Sequence, residues 1–289
     1  MKGIRDRVAI IGMACTPFGE RWDGSVDDML VEAATGALAS AGLERDAVDA
    51  YWLGTFASGI SGLTLSRAMK TDYRPVTRVE NLCATGTDAF RNACYAVAAG
   101  ACDVAMAIGV EKLKDSGYSG LVAPWPPGDG TASGLTDPAM FSLIVPAYRE
   151  RYGVDEETMR EVLTRIAWKN HYNGARNPRA QFQSEVSPEK ISCSPIVAGN
   201  LGIYDCSGVS DGAAAAIVVR SEDAARFRED PLYVKALALA AGPGAGAFDS
   251  EYDFTTFPEV RRSVASAYAE AGVENPRQAI GMAEVHDCF

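Results

Sequence analysis

The apolar residues of the first 53 positions follow a strand pattern, then a helix pattern, then a strand pattern again. Arg7 to Met13 is a continuous apolar run rich in β-branched residues, typical of a strand buried on both faces. A helix is predicted behind it, with Ser25 as its N-cap and Asp28 three residues on. Its predicted buried face comprises Val26, Met29, Leu30, Ala33, Ala34, Ala37, Leu38 and Ala41. Gly42 and the apolar run from Val48 to Leu53 complete a β-α-β unit.

The alternation of strands and helices continues to Val110. Strands are predicted from Val76 to Leu82 and from Asp103 to Val110, with a helix from Thr85 to Ala99 between them. This helix carries small or apolar residues on nearly all sides, so we expect it to be buried. The pattern predicts an α/β fold in which helices cover both faces of a parallel sheet.

A loop-rich and mostly helical segment follows this first half, which we assign to residues 1–115. The glycine- and proline-rich stretch at 117–134 precedes helices predicted from Pro138 to Tyr152 and from Asp155 to Tyr172. Ser207 to Val219 reads as a return strand. We interpret residues 116–231 as an insertion that ends with this strand.

Residues 232–289 repeat the beginning of the chain. A strand pattern leads to a predicted helix with Val260, Val264, Ala267 and Ala271 on one face, and another strand is predicted from Ile280 to Val285. The motif Ala-Gly-Val at 271–273 matches Ala-Gly-Leu at 41–43. The counterparts of the later first-half elements do not follow, so this second half is incomplete. We expect either that the sequence is a fragment or that another chain completes the fold, since the last strand would otherwise have an exposed edge.

Composition narrows the range of functions. The net charge of −11 argues against a nucleic-acid partner, because phosphate binding needs clustered Lys and Arg. Seven irregularly spaced cysteines indicate neither a disulfide framework nor a metal site. Because we find no signal peptide and no apolar run of about 18 residues, the default expectation is a cytoplasmic protein without a membrane span.

Two residues are candidates for chemistry. Cys83 stands between a predicted strand and the start of a helix, where the helix dipole and unpaired backbone N–H groups favour a thiolate and an oxyanion. His286 follows the last predicted strand and could donate a hydrogen bond or move a proton. The alternatives are inert packing for Cys83 and a hydrogen-bonded strand-end turn for His286. His171, on a polar helix, is expected to be a surface residue.

Four ordered motifs resemble one known family. The stretches NLCATGTDAF with IGVEK, KNHYNGARNPRAQF, YDCSGVSDGAAAAIV and EVHDCF look like those of the thiolase superfamily. The most similar branch is that of sterol carrier protein x and the lipid-transfer proteins, often called acetyl-CoA acetyltransferases. The resemblance implies the thiolase fold, with duplicated βαβαβ halves and a loop domain inserted after the first half.

The resemblance also implies an activity and a site. Cys83 matches the nucleophile that an acyl-CoA acylates, and His286 matches a position that helps to form the oxyanion hole. The implied reaction is a ping-pong acyl transfer that ends in Claisen condensation or thiolysis, with a coenzyme A thioester as substrate and no bound cofactor. Two further catalytic elements of the family, a histidine in a GHP motif and a cysteine in a CxG motif, are absent from these 289 residues. We therefore expect this chain alone to form an acyl-cysteine slowly.

The sequence leaves two other functions as alternatives, and the resemblance implies two partners. The branch includes retro-aldolases that cleave steroid side chains without a cysteine nucleophile, and a non-catalytic scaffold subunit is the third possibility. The resemblance further implies a homodimer formed through the sheet edge. It also implies a small partner protein with an OB-fold and a zinc ribbon.

Overall fold

The computed structural model describes residues 3–116, 136–249 and 251–289. Of these residues, a first compact unit contains 3–116, 210–240 and 262–284, and a second unit contains the rest. The return strand, which we assigned to the insertion from the sequence, thus lies in the first unit. The predicted loop at 117–134 lies outside the described residues. No helix in the described ranges is long and apolar enough to cross a membrane.

The first unit contains six strands and three of the helices that precede the insertion. In chain order these elements are β1 (Val8–Cys15), α1 (Val26–Ala41), β2 (Ala50–Gly54), α2 (Leu63–Met69), β3 (Val76–Val79), α3 (Thr85–Ala98), β4 (Val104–Glu111), β7 (Gly212–Arg220) and β8 (Leu232–Tyr233).

The six strands form one sheet in the order β3-β2-β4-β7-β1-β8. Strand β2 is parallel to β3 and β4, whereas β7 is antiparallel to both β4 and β1. The sheet is therefore mixed, and the prediction of a parallel sheet is wrong for β7 and β8. Strand β7 arrives after the long insertion, so the right-handed β-α-β crossover that makes successive strands parallel does not constrain its direction.

Helices cover both faces of the sheet, as predicted. Helix α1 has the predicted N-cap at Ser25 and left-handed glycine cap at Gly42, and its buried residues are those of the predicted face except the partly buried Val26. It packs with sheet residues such as Ile11 and Met106, while α3 packs with Val8 and other residues on the opposite face.

Helix α3 is buried on one side only. Ala93, Cys94 and Val97 are fully buried against the sheet, but Tyr95 is 41% exposed. The expectation of an entirely buried helix is wrong for the described chain. Small residues on the outer side, such as Gly86, permit close packing but do not by themselves supply a second layer.

The second unit is built around helix α6 (Glu156–Gly174). The other elements before the return strand are α4 (Asp137–Phe141), α5 (Ile144–Tyr152), α7 (Pro188–Ser192), β5 (Ile196–Ala198) and β6 (Leu201–Gly202). Val145, Met159 and Leu201 form its buried cluster, and Arg160 on α6 holds the buried carboxylate of Asp205 with two hydrogen bonds.

The predicted second β-α-β copy forms its helix and only a short piece of its first strand. The remaining elements are α8 (Ala245–Phe248), α9 (Pro258–Ala271) and α10 (Pro276–Ala279). Only Leu232–Tyr233 of the first predicted strand pairs with the sheet, and Ile280 to Val285 forms no strand. Helix α9 buries none of its residues. The prediction of the first strand thus holds only at its start and that of the last strand is wrong, because an apolar run becomes a strand only where a neighbouring strand accepts its hydrogen bonds.

Candidate active site

Cys83 lies in a short 3-10 turn, Leu82–Ala84, that leads directly into α3. Its side chain is exposed. The strand before it ends at Val79, three residues earlier than predicted, while the helix begins at the predicted Thr85. The structure thus places Cys83 directly before a helix of 14 residues.

The backbone of this turn is strained immediately before the cysteine. Leu82 has a φ of +48°, in the left-handed region that non-glycine residues seldom adopt. Such conformations persist only where surrounding contacts hold them, and they are frequent at active sites. The N-cap residue Ala84 has a methyl side chain that cannot accept hydrogen bonds from the first N–H groups of α3, and the first of these, that of Thr85, donates to the Leu82 carbonyl oxygen. N–H groups in the first turn of a helix are the kind that stabilise an oxyanion.

A buried carboxylate connects the turn to the helix. Asp88, in the first turns of α3, is 5% exposed and accepts a hydrogen bond from the side-chain amide of Asn81. Arg91 donates to it at 2.6 Å and Asn92 at 3.1 Å. The Asn81 backbone N–H also donates to the Thr85 hydroxyl at 2.8 Å.

The turn lies at the carboxyl edge of the parallel strands, next to a second organised loop. Glu111, the last residue of β4, accepts hydrogen bonds from the Phe56 N–H at 2.8 Å and the Ser58 hydroxyl at 2.6 Å. Arg78 on β3 donates to the carbonyl oxygen of Phe56 at 3.0 Å. This loop after β2 is therefore fixed by a carboxylate and a guanidinium that come from the two strands beside β2.

Gly54, the last residue of β2, lets α3 approach the sheet closely. A Cβ at this position would lie 3.1 Å from a methyl group of Thr85 and 3.5 Å from the Cβ of Ala89. Contacts at this distance leave little room for a side chain, so the absence of one at Gly54 sets the position of the helix start that carries the cysteine.

Sequence reasoning missed Asn81, Asp88 and Glu111. A signal was present for the two carboxylates, because each is an acidic residue within an otherwise small or apolar segment. Burying such a group requires hydrogen-bond partners, which makes it a marker of a local network.

The second candidate, His286, lies in the second unit, where its side chain is exposed. It does not follow a strand as predicted, since Ile280 to Val285 is irregular. The three residues after it are anchored instead. The side-chain amide of Asn170 donates to Asp287 at 2.8 Å, the Ser207 N–H donates to the Cys288 carbonyl oxygen at 2.8 Å, and the rings of Phe289 and Phe141 lie 4.9 Å apart.

These contacts join three of the quoted motifs within the second unit. Asn170 belongs to KNHYNG, Ser207 to YDCSGV and Asp287 to HDCF. Cys83 belongs to the first unit, so the structure gives each candidate residue a defined setting within its own unit.

His171 is half-buried, contrary to the expectation of a surface residue. Its ring lies 5.8 Å from that of Phe182 and 5.5 Å from that of Tyr204. Burial lowers the pKa of His171, and a hydrogen bond to the backbone of Ser184 partly opposes this shift. The ring is therefore part of the packing around α6.

Comparisons with known proteins support one class. A family model described as the thiolase N-terminal domain matches residues 8–222. An acetyl-CoA acetyltransferase of Methanothermobacter thermautotrophicus is 38% identical, with the alignment covering 98% of this chain and 74% of that protein. Sterol carrier protein 2 of Gallus gallus is 29% identical, over 98% of this chain and 54% of that protein.

Solved structures give the same fold. The chain superposes on the Ltp2-ChsH2(DUF35) aldolase with a TM-score of 0.79 and 25% identity, covering 93% of this chain and 71% of that one. A monomeric SCP2-thiolase-like protein of Mycobacterium smegmatis has a TM-score of 0.74 at 17% identity, over 98% of this chain and 61% of that one. The mixed sheet with its inserted helical segment is a thiolase-like α/β fold. The chain belongs to the thiolase family.

Proposed function

We propose that this chain is a thiolase-like acyltransferase in which the Cys83 sulfur takes the acyl group of an acyl-CoA. The observation that carries the proposal is the exposed Cys83 at the start of α3, in a strained turn that hydrogen bonds hold in place. Relatives named acetyl-CoA acetyltransferase, including one from Methanocaldococcus jannaschii at 34% identity, support the same reaction class.

The first half-reaction follows from this arrangement. The Cys83 thiolate attacks the thioester carbonyl carbon, and an Sγ–C bond forms while the carbonyl oxygen becomes an oxyanion. The backbone N–H groups at the start of α3 are suited to stabilise this oxyanion. The intermediate collapses, the bond between carbon and the coenzyme A sulfur breaks, and coenzyme A leaves as a thiolate that takes up a proton. An acyl-cysteine remains, for coenzyme A or an enolate to resolve.

A test of the nucleophile is mass spectrometry after incubation with acetyl-CoA. We expect a 1:1 acetyl adduct on the peptide that contains Cys83, and its loss in Cys83→Ser. Cys193 is the matched control, because it is also an exposed cysteine. An adduct that persists in Cys83→Ser and disappears in Cys193→Ser would contradict the assignment, as would a folded protein that forms no adduct.

His286 is proposed as a donor to the thioester or enolate oxygen. The anchoring of Asp287 by Asn170 supports a defined position for the histidine within the second unit. We expect His286→Ala to slow acylation of Cys83 by about 10²–10³-fold, as the loss of one oxyanion donor does elsewhere. His286→Asn retains an N–H donor and should recover part of that loss. Equal rates for wild type and both variants would exclude the role.

A carbon-carbon lyase reaction is the second candidate. The likeness to the Ltp2-ChsH2(DUF35) aldolase favours it, because that protein is an aldolase of similar fold. A retro-aldol reaction needs no acyl-cysteine, so Cys83→Ala separates the two reactions. Full cleavage of a β-hydroxyacyl-CoA probe by Cys83→Ala would favour the aldolase, whereas loss of acyl transfer in the same variant supports the thiolase reaction.

Two partners belong to the same proposal. Strand β3 is an edge of the six-stranded sheet, so it offers backbone groups to a second copy of this chain. The complexed state of the aldolase supports a second partner, a DUF35-type subunit. Light scattering of the chain alone and after mixing with such a subunit tests both, and a non-catalytic scaffold would bind the subunit while Cys83 stays unacylated.

A further inference from the structure

The turn that presents Cys83 contains one strained residue, although backbone hydrogen bonds within the turn join Ala84 to Asn81 and Thr85 to Leu82. Leu82 adopts a left-handed backbone conformation that costs free energy for a branched side chain. Its side chain is 53% exposed, so hydrophobic burial does little to offset that cost. The conformation must be maintained by contacts that neighbouring residues make.

Asn81 supplies two of these contacts. Its backbone N–H donates to the Thr85 hydroxyl at 2.8 Å, and its side-chain amide donates to the Asp88 carboxylate. Both acceptors belong to the first turns of α3 and are nearly buried, with exposures of 7% for Thr85 and 5% for Asp88. Asn81, the residue before the strained position, is thereby tied to the helix that begins directly after the turn of Cys83.

The Asp88 carboxylate, which accepts the hydrogen bond from the Asn81 side chain, is itself held in place. The Arg91 guanidinium donates to Asp88 at 2.8 Å from Nε, and Asn92 donates to the same side chain at 3.1 Å. Arg91 also compensates the negative charge of Asp88. The carboxylate of Glu80 is the other acidic group at this turn, where it accepts a hydrogen bond from the Leu82 N–H. A buried, paired carboxylate is a rigid acceptor.

From these contacts we infer that Asn81 is a positioning residue for Cys83, acting through the carboxylate of Asp88. It holds the left-handed turn closed and so keeps the sulfur at the start of α3, where the helix favours the thiolate. The inference rests on the proposed function for its catalytic meaning. Its direct consequence, the reactivity of the Cys83 sulfur, can be measured without any acyl-CoA.

Asn81→Ala and Asn92→Ala form a matched pair for the test. Each removes one amide that donates to Asp88, the first from the turn and the second from within the helix. The full chain is treated with iodoacetamide from pH 6 to 10, and alkylation of Cys83 is quantified by peptide mass spectrometry. Cys193 is exposed and serves as the internal standard in the same sample.

We expect Asn81→Ala to lower the Cys83:Cys193 rate ratio at pH 7 by about twofold to fivefold, the range of a helix-terminus charge interaction. The midpoint of the Cys83 pH profile should move to higher pH. Asn92→Ala should leave both unchanged. An unchanged ratio in Asn81→Ala, or an equal fall in the two variants, overturns the inference, because the effect would then be absent or would belong to helix stability.

A donor–acceptor swap keeps the inference testable if Asn81→Ala does not fold. Asn81→Asp places a second carboxylate against Asp88 and should lower the ratio. Adding Asp88→Asn restores an amide–carboxylate pair with the roles exchanged and should recover it. A double variant no better than Asn81→Asp would overturn the inference. Failure of acetyl-CoA to label wild-type Cys83 would instead reject the proposed function, and the alkylation ratio would still judge the role of Asn81.

Discussion

Helices α1 and α9 arise from matching stretches of sequence but have opposite surroundings. Both end at a left-handed glycine, with φ values of +65° at Gly42 and +70° at Gly272. Both caps have the same two hydrogen bonds, the second from Leu43 in α1 and from Val273 in α9. Yet α1 has seven buried residues and α9 has none. The local signals form the helix in each case, whereas burial depends on a sheet that only the first copy has beside it.

The strands show the same difference more strongly. Strand β2, after α1, has parallel neighbours on both sides, while Ile280 to Val285, at the equivalent place after α9, remains irregular. A helix satisfies its own backbone hydrogen bonds, but a strand needs a partner. Sequence repeats therefore transfer helices more reliably than strands.

The largest expected effect comes from a charge on the apolar face of each helix. Leu30 in α1 is fully buried and Val264 in α9 is 40% exposed. Leu30→Asp should destabilise the first unit by about 4–5 kcal/mol or more, because it buries an unpaired carboxylate. Val264→Asp should change stability by about 0.5 kcal/mol or less. Urea unfolding followed by circular dichroism measures both, and comparable losses would show that α9 has a buried face in solution.

The glycine caps give a smaller and closely matched contrast. Gly42→Ala forces a Cβ into the left-handed region and should cost about 1 kcal/mol, which lowers Tm by about 2–4 °C. Gly272→Ala meets the same backbone penalty and also needs the flexible end of the Arg5 side chain to move, but the end of α9 can fray without exposing a core. Its effect on the main thermal transition should be less than half as large. Equal Tm shifts would contradict the difference between the two helices.

The smallest expected effect concerns the N-terminal cap of α1. The Ser25 backbone N–H and hydroxyl donate to Asp28 at 2.8 and 2.7 Å, and these hydrogen bonds lower the pKa of Asp28. Because the native pKa lies below the unfolded value of about 3.9, the stabilisation is complete above that pH and is lost as the pH falls through the native pKa. Asp28→Asn should therefore flatten the decrease of Tm below about pH 4.

Glu259, in the first turn of α9, is the control for this pH dependence. Glu259→Gln should leave the pH dependence of Tm as in wild type, since unwinding of α9 exposes no core. A larger change in Glu259→Gln than in Asp28→Asn would mean that the first turn of α9 contributes more to stability than that of α1.

Local patterns predicted much of the fold. The 3.6-residue spacing placed α1 and α9, and the capping residues at Ser25 and Gly42 placed the ends of α1. Strand direction was not predictable in the same way. The antiparallel pairing of β7 depends on the path of the chain through the insertion, and no residue within β7 encodes it.

The candidate site likewise has parts that local sequence predicts and parts that it does not. The position of Cys83 followed from an apolar run and a helix start that are adjacent in sequence. The contacts that support the cysteine could not be predicted in this way. Asn81 and Asp88 are seven residues apart and meet only once the left-handed turn at Leu82 has formed. The anchoring of Asp287 by Asn170 joins residues 117 positions apart and needed the folded second unit.

The central position of β7 sets the order in which this protein can be built on the ribosome. Val8 pairs with Arg220 and Val104 pairs with Val219, so both neighbours of β7 wait for a strand made much later. At ribosomal rates the interval between the synthesis of β1 and that of β7 is about 10–40 s. During this time β1 has no strand beside it and β4 has only β2, so the nascent chain exposes unpaired strand edges to chaperones. The sheet closes from its middle, after about three quarters of the chain has emerged.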